Sequence, residues 1–127
     1  MLIQYPVVLA FIFHAFIEFI WIKSMRSFYD QSFRNIQKNW SGTYKLFPAA
    51  LTYIILYAVI YIILLRNNHA SFVTAAALGL GIYGVYNLTN MATLDNYSWK
   101  VAMVDTAWGV FSISAFWIFY KKIKTII

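Results

Sequence analysis

A handful of groups able to do chemistry stand inside segments that are otherwise apolar: His14 and Glu18 early in the chain, Asn87 and Asn90 in its third quarter, and Asp105 soon after. A carboxylate can exchange a proton or hold a cation, an imidazole can relay a proton, and an amide can orient what the charged groups hold. His14 and Glu18 are four residues apart, which on a helix places them on one face with Phe11, Trp21 and Met25. Thr93 follows Asn90 by three positions, and Trp108 follows Asp105 by three. The candidate ligand- or ion-pathway residues are therefore His14, Glu18, Trp21, Asn87, Asn90, Thr93, Asp105 and Trp108. No nucleophile and base set accompanies them, and one histidine with two acids is a thin metal site. The sequence thus assigns no catalytic residue and no metal ligand, and it names no cofactor.

The elements that must position these groups follow from composition. Of 127 residues, 62% are hydrophobic, 20% aromatic and 11% charged, which is outside the range of soluble domains. Crossing the roughly 30 Å core of a bilayer takes about 20 apolar residues per helix. Four segments meet that need, at about residues 2–22, 46–65, 70–92 and 99–120. The expected architecture is all-α, a single transmembrane domain over 1–127 built as an integral membrane four-helix bundle with both termini on one side.

Residues 24–40 read differently. Met25, Phe28, Tyr29, Phe33, Ile36 and Trp40 recur at three-to-four spacing, while Arg26, Asp30, Arg34 and Lys38 fall on other faces. That is an amphipathic helix lying in the interface between the first and second spans. Ser41-Gly42-Thr43 ends it. In the third span Ala75/Gly79 and Ala77/Gly81 form small-xxx-small pairs continued by Gly84, and these five residues are expected to pack closely against another helix. The Gly79, Gly81, Gly84 string also matches a dinucleotide fingerprint, but no strand precedes it and that reading fails.

Four crossings bring the end of the first span, the start of the second, the end of the third and the start of the fourth to one side. At about 1.5 Å per residue, Glu18 and Asn87 lie roughly 7 Å inside that side, Asp105 about 9 Å and His14 about 12 Å. Asn90 lies nearer the surface. Each polar group at such depth needs partners that lipid does not supply. Interhelical polar bonds average under about 1 kcal/mol, so stability alone gives little reason to keep two buried acids.

The net charge of +6 comes from basic residues at the ends of the apolar runs, as expected for contact with headgroups. The expected partner is the lipid bilayer, not nucleic acid. Lys23, Arg26, Arg34, Lys38, Lys45 and Lys100 on one side outnumber Arg66, Lys121, Lys122 and Lys124 on the other, which favours a cytoplasmic loop 23–45.

Two runs carry a family likeness: Tyr86-Asn87-Leu88-Thr89-Asn90-Met91-Ala92-Thr93-Leu94 and Val104-Asp105-Thr106-Ala107-Trp108-Gly109. They resemble the small integral-membrane proteins grouped as domain of unknown function 2177 (DUF2177), which have Tyr-Asp-Leu-Thr-Asn-Leu-Ala-Thr-Leu and Val-Asp-Ile-Ala-Trp-Gly. Glu18-Phe19-Ile20-Trp21 and Phe28-Tyr29 resemble the family more loosely. Here Asn87 stands where the family has Asp, and Glu18 where it has Asp. The resemblance implies a four-helix membrane fold and brings no reaction with it. Three functions fit the residues: a transporter or channel-like protein moving a proton, cation or small polar solute, a structural or accessory subunit of a larger complex or homo-oligomer, and a lipid-active enzyme.

Overall fold

The computed structural model describes residues 4–127. It contains five helices: α1 Tyr5–Ser24, α2 Arg26–Ile36, α3 Leu46–Leu65, α4 Phe72–Thr93 and α5 Trp99–Ile126. All but α2 are long and apolar enough to cross a membrane. No strand occurs among the described residues. The expected first span reaches back to residues 2 and 3, which lie outside the described part, and the expected interfacial helix is shorter than 24–40.

Local chemistry sets the helix ends. Pro6 opens α1, where a missing N–H costs nothing. Ser71 and Thr74 form a reciprocal capping box at the start of α4, and the Ser98 hydroxyl accepts from the Lys100 N–H at the start of α5. The two tight reversals use residues that tolerate positive φ, Gly42 at +80° before α3 and Asn96 at +63° between α4 and α5. α2 follows α1 after the single residue Met25. It keeps Phe28, Tyr29, Phe33 and Ile36 half-buried with Ser32 buried, while Arg26 and Arg34 are exposed. Trp40 lies beyond its end, its ring 5.2 Å from Phe33 and 5.5 Å from Tyr44.

α5 is the central helix, packed on both α1 and α4. Phe11 meets Phe116, Phe13 stacks on Phe119 at 4.3 Å, and Trp21 stacks on Trp108, so α1 and α5 run in opposite directions. α3 reaches α1 through long side chains, with Tyr57 against Phe11 and His14 and with Tyr53 against Glu18, again antiparallel. From His14 toward the chain termini the interior is closed by Val7, Ala10, Ile60, Leu64, Ala75, Ile113 and Phe116.

α4 meets α5 through a turn that departs from α-helical winding. Four residues of α-helix overshoot a full turn by about 40°, so Ala75, Gly79, Tyr83 and Asn87 would wind progressively off one face. The turn Leu80–Gly84 is π-wound and wider, and it falls short of a full turn over the same four residues. The two deviations offset each other. Ala75, Gly79 and Asn87 are all buried, and Tyr83 lies against Gly109.

This geometry corrects the expectation for the small residues. Ala75, Gly79 and Gly84 are buried, but Ala77 and Gly81 are exposed. The reason is angular: positions two apart on a helix point about 200° apart, so both small pairs cannot face one neighbour. A Cβ on Gly79 would sit 2.5 Å from the Gly109 carbonyl oxygen, whereas one on Gly81 would meet nothing within 4 Å. Gly79→Ala should therefore lower thermal stability in detergent by about 1–3 kcal/mol through overpacking against backbone. Gly81→Leu should change it by no more than about 0.5 kcal/mol. Equal losses for the two substitutions would reject the assignment of faces.

Candidate functional site

The polar groups inside the bundle form two hydrogen-bonded units, one around each acid. Glu18, 5% exposed, projects from α1 toward α3 and α5. The Trp108 indole N–H donates to its Oε1 at 2.9 Å, and the Tyr53 hydroxyl donates to Oε2 at 3.3 Å. One turn earlier on α1, fully buried His14 holds Nδ1 at 3.2 Å from the Tyr57 hydroxyl and Nε2 at 3.7 Å from Glu18 Oε1. Nε2 has no hydrogen-bond partner, since 3.7 Å exceeds bonding range.

Asp105 is the centre of the second unit. The Tyr29 hydroxyl, from α2, donates to its Oδ1 at 2.7 Å, and the Asn87 amide donates to Oδ2 at 2.7 Å. Asn87 is bonded through its other groups as well: its second N–H goes to the Tyr83 carbonyl at 2.8 Å, and its Oδ1 accepts from the Tyr97 hydroxyl at 2.7 Å. An aspartate at this position would offer only acceptors when ionised, so the amide is what lets position 87 bond Asp105 directly. Burial, then the hydrogen bond to Asp105 and its charge, push the Tyr29 phenol far above its ordinary range, so the hydroxyl keeps its proton and remains a donor. Burial likewise raises the Tyr97 phenol, with the Asn90 side chain partly offsetting it.

No hydrogen bond joins the two units. They are linked by the indoles of Trp21 and Trp108, parallel to within 3° with centroids 4.3 Å apart. Trp108 donates to Glu18, and Trp21 donates to the Tyr29 hydroxyl at 3.1 Å. Each acid thus has its own set of donors.

Six of the eight candidate residues, His14, Glu18, Trp21, Asn87, Asp105 and Trp108, are brought into these units. Asn90 is half-buried beside Tyr97 and reaches neither acid. Thr93 is exposed and turns its hydroxyl back onto the Thr89 carbonyl at 2.9 Å, where a threonine near a helix end satisfies itself locally. The sequence reading missed the phenols of Tyr29, Tyr53, Tyr57 and Tyr97. A signal was present: Tyr53 and Tyr57 are four apart on a span without charges, and a phenol among apolar helices must find a partner. Among the described residues, no three His, Asp or Glu side chains gather to hold a metal ion.

Chemically, two carboxylates surrounded by neutral donors can take up a proton or a cation. Only two ion pairs form among the described residues, His14 with Glu18 if the histidine is protonated, and Arg26 with Asp30 at 3.5 Å on α2. Neither acid of the site meets a lysine or an arginine.

The Tyr29 hydroxyl is the only α2 group bonded to either acid. Removing a hydrogen bond to a charged acceptor costs about 1.5–3 kcal/mol. Because the chain has no cysteine, Ser32→Cys on the buried face of α2 gives a clean thiol probe. Adding Tyr29→Phe should speed its modification roughly tenfold, and an unchanged rate would show that α2 is held by something else.

A family model described as "Predicted membrane protein (DUF2177)" matches residues 1–119. No curated protein and no solved structure matches the chain. Since that match covers nearly the whole chain, the chain belongs to the DUF2177 family of predicted membrane proteins.

Proposed function

We propose that the protein is a small transporter or channel-like membrane protein that admits a proton or a small cation to the polar layer from the side carrying α2. Glu18 is the exchanging group, and Asp105 holds the layer together with Asn87 and Tyr29. The observation that carries this reading is the lack of countercharge among the described residues: both carboxylates are bonded by indole, phenol and amide hydrogens, and His14 is the one basic side chain beside them there. An acid enclosed among apolar helices calls for a proton, a cation or a charged partner. The excess of basic residues on the α2 side supports a cytoplasmic placement of residues 23–45.

A second reading is a structural or accessory subunit, in which the layer only fixes helix register. It is favoured by the apolar closure beyond His14, where the interior toward the termini is lined by Val7, Ile60, Leu64, Ile113 and Phe116. A transporter with this structure must open that half in another conformation. An accessory subunit need not.

Proton flux into liposomes under an imposed pH gradient separates the two readings. Wild-type protein should conduct, while Glu18→Gln should fall to the protein-free level with its helix content intact. Flux in Glu18→Gln equal to wild type would overturn the transport reading. Absence of flux from wild type, with stable partner proteins retained through purification from native membrane, would establish the subunit reading in its place.

A further inference from the structure

His14 is fully buried, its Nε2 is unpartnered, and that nitrogen points at Glu18 Oε1 across 3.7 Å, about 0.9 Å longer than a charge-assisted N–H···O bond of about 2.8 Å. We infer that His14, Glu18 and Tyr57 form a proton-binding site that holds one exchangeable proton between imidazole and carboxylate. The inference rests on the transport reading only in taking Glu18 as the exchanging group, and it names the proton as the ligand of that acid.

The atoms account for both states. Without the proton, Glu18 is a carboxylate and His14 is neutral with its hydrogen on Nε2, facing the only acceptor near it. Nδ1 then accepts the Tyr57 hydroxyl hydrogen at 3.2 Å. An added proton goes to Nδ1, and the Tyr57 hydroxyl rotates from donor to acceptor, which a phenol can do with its heavy atoms fixed. Nε2–H of the imidazolium bonds Oε1 and the gap closes. Passing that hydrogen from Nε2 to Oε1 gives neutral imidazole and neutral acid. No heavy-atom bond changes and no electrons are transferred. In both protonated forms the pair carries no net charge, which is the arrangement an apolar interior favours.

The surroundings suit a proton better than a metal ion. A metal site takes about four ligands, whereas only two ligating side chains, one imidazole and one carboxylate, meet here and the Trp108 N–H at Oε1 can only donate. The titratable groups that face the pair are Tyr53 and Tyr57 on α3, Tyr83 on α4 and Asp105 on α5. None is a cation that would compete for Glu18. Phe116 closes the other side of the imidazole with its ring edge-on at 6.1 Å.

The test is nitrogen and carbon NMR on the full chain in detergent, following the His14 ring nitrogens and the Glu18 side-chain carbonyl through a pH titration. His69, exposed in the turn between α3 and α4, serves as an internal control. Both groups should report the same macroscopic midpoints, because a coupled pair titrates as a unit and not residue by residue. In Glu18→Gln the His14 step should move to lower pH by about 1–3 units, because an opposite charge at this distance favours the imidazolium. Tyr57→Phe should alter the balance of His14 tautomers while leaving His69 unchanged. If Glu18→Gln does not fold, Glu18→Asp carries the test: the retracted carboxylate should lower the His14 midpoint by a smaller amount. A His14 midpoint identical in wild type and in the folded Glu18 variant, or separate midpoints for His14 and Glu18, would overturn the proposal. Coupled titration without proton flux leaves this site standing and removes the transport reading. Flux that depends on Glu18 without coupling to His14 does the reverse.

Discussion

A polar atom among apolar helices has only the rest of the chain to bond with, and most of this structure follows from that constraint. Two carboxylates and one amide need several donors between them, and the chain supplies these from four helices and one loop. Tyr53 comes from α3, Trp108 from α5, Asn87 from α4 and Tyr29 from α2, with Tyr97 in the α4–α5 loop. The long polar side chains set separations as well as bonds. α3 stands off from α1 by the reach of its tyrosines, while α4 and α5 close to backbone contact at Gly79 and Gly109. From His14 toward the termini, where no carboxylate or amide has to be served, the interior is lined by aliphatic and aromatic side chains, Ile60, Leu64, Phe116 and Tyr120 among them.

The two acids are served in different ways. Asp105 has both oxygens bonded at 2.7 Å, and one of its donors ties an otherwise peripheral helix to the bundle. Glu18 has one shorter bond, one longer bond and an unsatisfied imidazole nitrogen nearby. Saturation favours a fixed role and incomplete bonding favours exchange, since a group whose bonds are all made has most to lose by changing state. The stacked indoles of Trp21 and Trp108 keep the units adjacent while leaving their hydrogen-bond networks separate.

Much of this was legible in the sequence. Length and hydropathy located four spans, and the period of Met25 to Trp40 located the helix between the first two. Counting depth along each span brought Glu18, Asn87 and Asp105 to one layer. Four things were not legible. Depth says nothing about rotation, so the sequence could not separate the Glu18 unit from the Asp105 unit. Tyrosine serves equally as packing and as donor, so the stripe of Tyr53 and Tyr57 reads as packing. Ala77 and Gly81 resembled a packing pair because small size was counted without the angle between positions, and Thr93 was included because a hydroxyl's ability to bond its own helix was not weighed.

The wide turn Leu80–Gly84 has a further consequence for how this helix could have changed in length. A π turn is an α-helix that has accommodated one additional residue without altering the course of the chain on either side. Ala75 and Gly79 before it and Asn87 after it all face α5, so neither flank has been displaced by the extra residue. Gly81, with open space around its α-carbon, is the member of that turn with the least to hold it. A chain one residue shorter at this point could wind as an uninterrupted α-helix and still present Asn87 to Asp105. A length difference of one residue would therefore fall inside an unbroken helix at this turn without moving either flank.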